Sequence, residues 1–180
     1  MRRSRSTTIL YSVLGSGVAL AFLGHGILGA KGNPKFGELV TGTYDKLLGG
    51  SMSESTATTW VNVVGWLDIA LAVVFVGLVI AAIARKAIAY SPLAIGLFGW
   101  AAAWGFLTAL SRFTAVLNGA ETWDVVERGP NYLLPVGLVY LIYRIRKDEA
   151  AEQTDGEIII ATPAANGKQQ APERVLAGKR

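Results

Sequence analysis

The sequence predicts an all-α fold, a four-helix transmembrane bundle with a short interfacial amphipathic helix between spans one and two. Three observations point there. Of 180 residues, 52% are hydrophobic and only 17% charged, against the roughly one quarter charged that is usual in soluble domains. The apolar residues arrive in long unbroken blocks, which a soluble core of this size has no room to hide. A bilayer accepts them directly, at about 20 residues per helical span. Lysine and arginine gather at the block ends rather than on one basic face, a topological pattern and not a nucleic-acid one.

The expected spans cover about residues 9–29, 60–84, 90–110 and 131–145. The last offers about 15 residues, roughly 22 Å of helix, so it relies on snorkelling by Arg144 and Arg146 or on local thinning of the bilayer. Pro130 suits a first helical turn, and Pro135 is close enough to the start to be tolerated. Arg2, Arg3 and Arg5 precede span one, Arg85 and Lys86 close span two, and Arg144, Arg146 and Lys147 follow span four. With four spans these cations share one side, which the positive-inside bias makes cytoplasmic. Both termini are then cytoplasmic, the loops of about residues 30–59 and 111–130 lie outside, and the expected location is the plasma membrane of a bacterium. An apolar stretch with no small-x-small site before Ala30 reads as a retained anchor rather than a cleaved signal.

In the first outer loop, Phe36, Leu39, Val40, Tyr44, Leu47 and Leu48 recur at the three-and-four spacing of one helical face. Asn33 caps that helix, Pro34 occupies its first turn and Gly49-Gly50 ends it. Its expected place is flat in the outer interface, or packed on the bundle mouth. Residues 1–147 form the membrane domain, and residues 148–180, rich in Ala, Glu, Gln, Gly, Pro and Lys, read as a disordered cytoplasmic tail. Small residues suit close helix packing: Gly15 and Gly17 in span one, Gly96, Gly99 and Ala103 in span three. Trp60, Trp123, Tyr11, Tyr90, Tyr132 and Tyr143 fall near span ends, as interfacial anchors do.

The chain has no cysteine, hence no disulfide, no thiolate nucleophile and no cysteine-ligated zinc or iron–sulfur site. One histidine, His25, leaves no intramolecular bis-histidine haem and no multi-histidine metal cage. There is no dinucleotide fingerprint either, so an autonomous oxidoreductase is the least expected function.

Titratable groups inside spans are the informative ones, because each costs a few kcal/mol unless paired or hydrated. These are His25 and Asp68. Counted from the outer boundary, His25 lies about 6 Å deep and Asp68 roughly 12 Å deep. Arg112 ends span three on the same side, and Glu127, Arg128 and Asn131 introduce span four there. The expectation is a polar cup opening outward, with Asp68 towards its floor, His25 on its wall and the others around its mouth. Arg112 or Arg128 can neutralise Asp68, while Glu127 takes the other arginine. Such a network is either a salt-bridge lock that orients helices, or a site with one face open to a small polar or quinone-like ligand. In the second case His25 and Asp68 exchange protons, and Trp66, Trp100, Trp104 and Phe106 offer an apolar wall. His25 between Gly24 and Gly26 has a plainer role open to it, a hydrogen bond to nearby backbone where helices touch.

The segments FLGHGILGAKGNPKF (22–36), GWLDIALAV (65–73), WGFLTALSRF (104–113) and VERGPNY followed by Leu133-Leu134-Pro135 resemble the DoxX-like family of small four-helix membrane proteins. The resemblance covers about residues 9–146. It implies a four-helix integral membrane protein, and some members are subunits of quinone-reducing or quinol oxidase systems or of membrane oxidative-stress complexes. The family supplies no settled catalytic residues, so His25, Asp68, Arg112, Glu127, Arg128 and Asn131 stand as candidates on depth and charge, with Trp104 beside them from the apolar wall. The expected function is an accessory subunit of a quinone-linked redox or oxidative-stress complex, with the bilayer and a redox partner subunit or a second copy as partners. Alternatives are a small-solute transporter or channel, against which stands the lack of an inverted repeat, and a purely structural scaffold.

Overall fold

The computed structural model describes residues 4–116 and 126–160. Their regular structure is entirely helical: α1 (Arg5–Ala30), α2 (Pro34–Leu48), α3 (Glu54–Ile83), a 3-10 turn (Ala87–Tyr90), α4 (Pro92–Val116) and α5 (Gly129–Ile160). Arg2, Arg3, Trp123 and residues 161–180 lie outside the described residues.

Among the described residues three helices are long and apolar enough to cross a membrane: α1, α3, and α4 over Pro92–Thr114. Only 33%, 33% and 28% of their most apolar stretches is buried in the protein. What they expose is apolar, including Leu20, Trp66, Val73 and Phe106, a surface suited to lipid rather than water. The expected fourth span coincides with the first part of α5. That stretch is bounded by Asn131 and Arg144, which leaves it shorter and less apolar than the other three.

Helix ends follow local chemistry rather than hydropathy, so the helices begin before the apolar blocks. Ser4 caps α1 by accepting from the Thr7 amide at 3.1 Å, and Ser53 caps α3 by accepting from the Thr56 amide at 3.2 Å. These polar turns are helical because their orphan amides are satisfied. For α2 the expected punctuation is present: Asn33 accepts from the Lys35 amide at 3.0 Å, Pro34 opens the helix, and Gly49 closes it in the left-handed region at φ 67°. At the end of α3, Arg85 also takes a positive φ, 56°, and the Lys86 amide reaches back to the Ala81 carbonyl at 2.8 Å. Glycine would be favoured there, so an arginine at this turn carries backbone strain of about 1 kcal/mol.

α1, α3, α4, α5 and the 3-10 turn share one hydrophobic core. At the 3-10 end Tyr11, Phe75 and Phe98 are fully buried, Tyr90 nearly so, with Phe75 stacked on Phe98 at 5.2 Å. This corrects the expectation that Tyr11 and Tyr90 are interfacial anchors. Their rings lie 5.3 Å apart inside the core, and the Tyr11 hydroxyl donates to the Ala89 carbonyl at 2.9 Å, which makes burial of the phenol tolerable.

Close helix contacts occur at particular glycines. A Cβ on Gly15 would meet Val79 at 2.6 Å, and one on Gly17 would meet Leu134 at 2.9 Å. A Cβ on Gly96 or Gly99 would meet nothing within 4 Å, and Ala103 is exposed, so those small residues do not mark an internal seam. The tightest seam joins α1 and α3, where a Cβ on Gly65 would collide with the backbone of Gly26, Gly29 and Ala30. Asn62 ties the same seam, its Nδ2 donating to the otherwise orphaned Ala30 carbonyl at 2.7 Å.

The chain divides into a unit ending at Arg146 and a second beginning at Lys147. In the second, helix continues to Ile160, where composition alone predicts a disordered tail. Local propensity accounts for the difference, because the segment after Asp148 is rich in Glu, Gln and Ala, all good helix formers.

Candidate functional site

The end of the molecule that carries α2 contains a cavity of about 450 Å³. Each wall is one face of one helix. α1 contributes Ala21, Phe22, His25 and Gly29, α3 contributes Trp60, Val61, Val64, Gly65 and Asp68, and α4 contributes Trp104, Thr108, Ser111 and Arg112 among others. These sets recur at the three-to-four spacing that keeps residues on one helical face. Arg128, just before α5, and Asn131 in its first turn complete the wall, and the apolar stripe of α2 covers it.

Of the seven candidate residues, His25, Asp68, Trp104, Arg112, Arg128 and Asn131 therefore line one space. Glu127 does not, and is exposed. The pairing differs from the expected salt bridges. The His25 Nδ1 stands 2.7 Å from the Ala21 carbonyl, to which it donates, so Nε2 is left as an acceptor, and the Arg128 guanidinium donates to it. Asp68, only 7% exposed, accepts a hydrogen bond from the Trp104 side chain and makes no ion pair among the described residues. Arg112 lines the cavity within electrostatic reach of His25 and makes no hydrogen bond or ion pair among the described residues. Among the described lining residues, two arginines and one carboxylate share this space.

The polar groups also share a level more closely than counting along the sequence implies. Gly26, beside His25, lies against Gly65 and Ile69, which bracket Asp68. Trp104 bonds Asp68, and its neighbour Gly105 lies against Asn131. Depth counted from the start of an apolar block misses this, because the level is set by where helix backbones touch. Pro135 assists at that point: it has no amide to offer the Asn131 carbonyl four residues earlier, and Gly105, lacking a side chain, lets α4 approach that carbonyl directly.

Of the four aromatic residues expected to form an apolar wall, only Trp104 lines the cavity. Trp66, Trp100 and Phe106 are 61%, 48% and 51% exposed and face outward. The apolar wall comes instead from α2, whose Phe36 stacks on His25 at 6.2 Å, and from Trp60, which its sequence position marks only as an anchor. Thr43 of α2 shares a hydrogen bond with Thr114 of α4 at 2.9 Å. The stripe of α2 is visible in the sequence, but nothing local tells which surface it meets.

Thr108 and Ser111 donate their hydroxyl protons to carbonyls of their own helix, at 2.9 and 2.7 Å, and so offer the cavity lone pairs only. Donors come from the arginines and Asn131, and acidity or basicity from Asp68 and His25. That set can orient a polar head carrying carbonyl or hydroxyl oxygens, with an apolar body against α2. Among the described residues no group of acidic or histidine side chains is arranged to hold a metal ion. In comparisons with family models, curated proteins and solved structures, none matches this chain.

Proposed function

We propose that this chain is a DoxX-like membrane protein that serves as an accessory subunit of a quinone-linked redox or oxidative-stress complex, with the cavity at the α2 end as its quinone site. In this reading α1, α3, α4 and the first part of α5 are the four spans. The 3-10 end, with Arg85, Lys86, Arg144 and Arg146, is cytoplasmic, and α2 lies at the outer interface.

The observation that carries the reading is the composition of the cavity: a polar level built from Asp68, Trp104, His25, Arg128 and Asn131, together with an apolar wall from α2 and Trp60. Its volume of about 450 Å³ suits a ring-sized ligand, and pockets for such molecules are typically apolar with a few convergent polar groups. Arg128 and Asn131 can donate to one ring oxygen and Asp68 can serve the other. A bound quinone supplies carriage of two electrons and two protons. The chain's own part is to hold the ring, keep water from it and keep a proton-exchanging carboxyl beside it.

A structural lock is a second reading, favoured by the fact that the Asp68–Trp104 and His25–Arg128 bonds both tie different parts of the bundle together. A channel has less support, because the aromatic core of Tyr11, Phe75, Tyr90 and Phe98 fills the 3-10 end. The test is a titration of the purified chain with a short-chain quinone, read by tryptophan emission, since Trp60 and Trp104 both line the cavity. Saturable quenching supports the quinone site, and a linear, unsaturable decline supports the lock.

A further inference from the structure

We infer that the cavity is open to the bilayer and takes its ligand from there, through a side portal between α3 and α4 beneath the C-terminal end of α2. The ligand is then an amphiphile, with its polar head at the Asp68 level and a hydrocarbon tail leaving through the portal. This rests on the cavity being a ligand site, as proposed above, and adds the class of ligand and its route.

The first ground is that four lining residues belong to the outer surface as well. Trp60, Leu107, Leu47 and Leu48 line the cavity, yet they are 57%, 53%, 66% and 70% exposed. A residue that is both lining and exposed marks the rim of an opening. Two of these rim residues stand on α3 and α4, which are long and apolar enough to cross a membrane. Leu107 lies about nine residues, roughly 14 Å, before the end of α4 at Val116, well inside the apolar stretch. The opening therefore reaches down the lipid-facing side rather than sitting only at the aqueous end.

The second ground is the difference between seams. α1 and α3 are sealed backbone to backbone by Gly26, Gly29 and Gly65, and α4 is sealed to the start of α5 at Gly105 and Asn131. α3 and α4 are held apart by large side chains, through the Phe75–Phe98 stack and the Asp68–Trp104 bond. Above that bond no glycine contact closes them among the described residues. The rim chemistry agrees: one tryptophan and three leucines, with every charged lining residue elsewhere. A water-borne ligand gains nothing at such a rim, whereas a hydrocarbon tail leaves its bilayer surroundings without loss.

The test uses the full chain in nanodiscs of phospholipid bearing a photoreactive diazirine on the acyl chain, with adducts mapped by mass spectrometry. Phe22 and Val61 line the cavity and are 6% exposed each, and Val73 on the outer face of α3 is the lipid-contact control. The expected result is adducts at Phe22 and Val61 as well as Val73, with those at Phe22 and Val61 lost in Leu107→Trp, which fills the rim. Leu48→Trp gives the same loss and serves if the first variant misfolds. Labelling at Val73 alone, or interior labelling indifferent to both variants, overturns the portal. A prenylated quinone should displace the interior label. If the label persists against it, the portal stands and the quinone reading fails.

Discussion

The two ends of this molecule use the same helices differently. At the 3-10 end the space between α1, α3, α4 and α5 is filled by aromatic rings, and the polar atom of Tyr11 is satisfied by backbone. At the α2 end the helices meet through glycines at two seams, and between the seams a cavity of about 450 Å³ gathers the polar side chains of the apolar stretches. Close helix contact is thus compatible with either outcome. What decides is whether large rings or small and polar residues occupy the positions beside the contact. One end is a clamp that holds the helices, and the other is the space they are held around.

The largest expected effect comes from breaking a seam. Gly65→Val drives side-chain atoms into the backbone of α1, where no rotamer can relieve the overlap, and should cost about 3 kcal/mol or more. Loss of monodisperse protein in detergent, or a much lower unfolding midpoint, is the readout. Next is a matched pair of truncations. Phe75→Ala empties a filled core and should cost about 3 kcal/mol, while Leu39→Ala, which borders existing space, should cost less than about 1 kcal/mol. Equal losses in thermal unfolding would show that the two ends are packed alike.

How much of this was legible in the sequence depends on the range of the cause. Helix ends were legible where they rest on local chemistry, as with Asn33, Pro34 and Gly49 around α2. The membrane character was legible because it needs only composition and block length. Contacts between helices were not: Gly26, Gly29, Gly65 and Gly105 look no different in sequence from Gly96 and Gly99, where an added Cβ would meet open space. For the same reason charge alone misleads about the partners of Asp68 and His25. It suggests arginine for Asp68, but helix register brings Trp104 to the carboxylate and gives Arg128 to His25. Tyr11 and Tyr90 sit at span ends as anchors do, and only the fold turns them inward.

Two smaller effects sharpen the contrast. Tyr11→Phe strands the Ala89 carbonyl in a dry core, so the 3-10 end should lose about 1 to 2 kcal/mol with ligand binding at the α2 end unchanged. Chemical unfolding paired with the quinone titration separates the two. Arg85→Gly relieves the positive φ at the end of α3 and should stabilise the chain by about 1 kcal/mol, seen as a raised midpoint. A fall would mean that the arginine side chain, rather than its backbone, matters most at that turn.

The claim that the α2 end holds a ligand is tested most directly by thermal unfolding of the wild type and Asp68→Asn in detergent, each with and without a short-chain quinone. The amide oxygen of the substituted side chain can still accept the Trp104 hydrogen bond, so the variant should fold. The account predicts a quinone-dependent rise in the wild-type midpoint that is lost in Asp68→Asn. No rise in the wild type, or the same rise in both, would contradict it and leave the cavity as a gap held open by a structural lock.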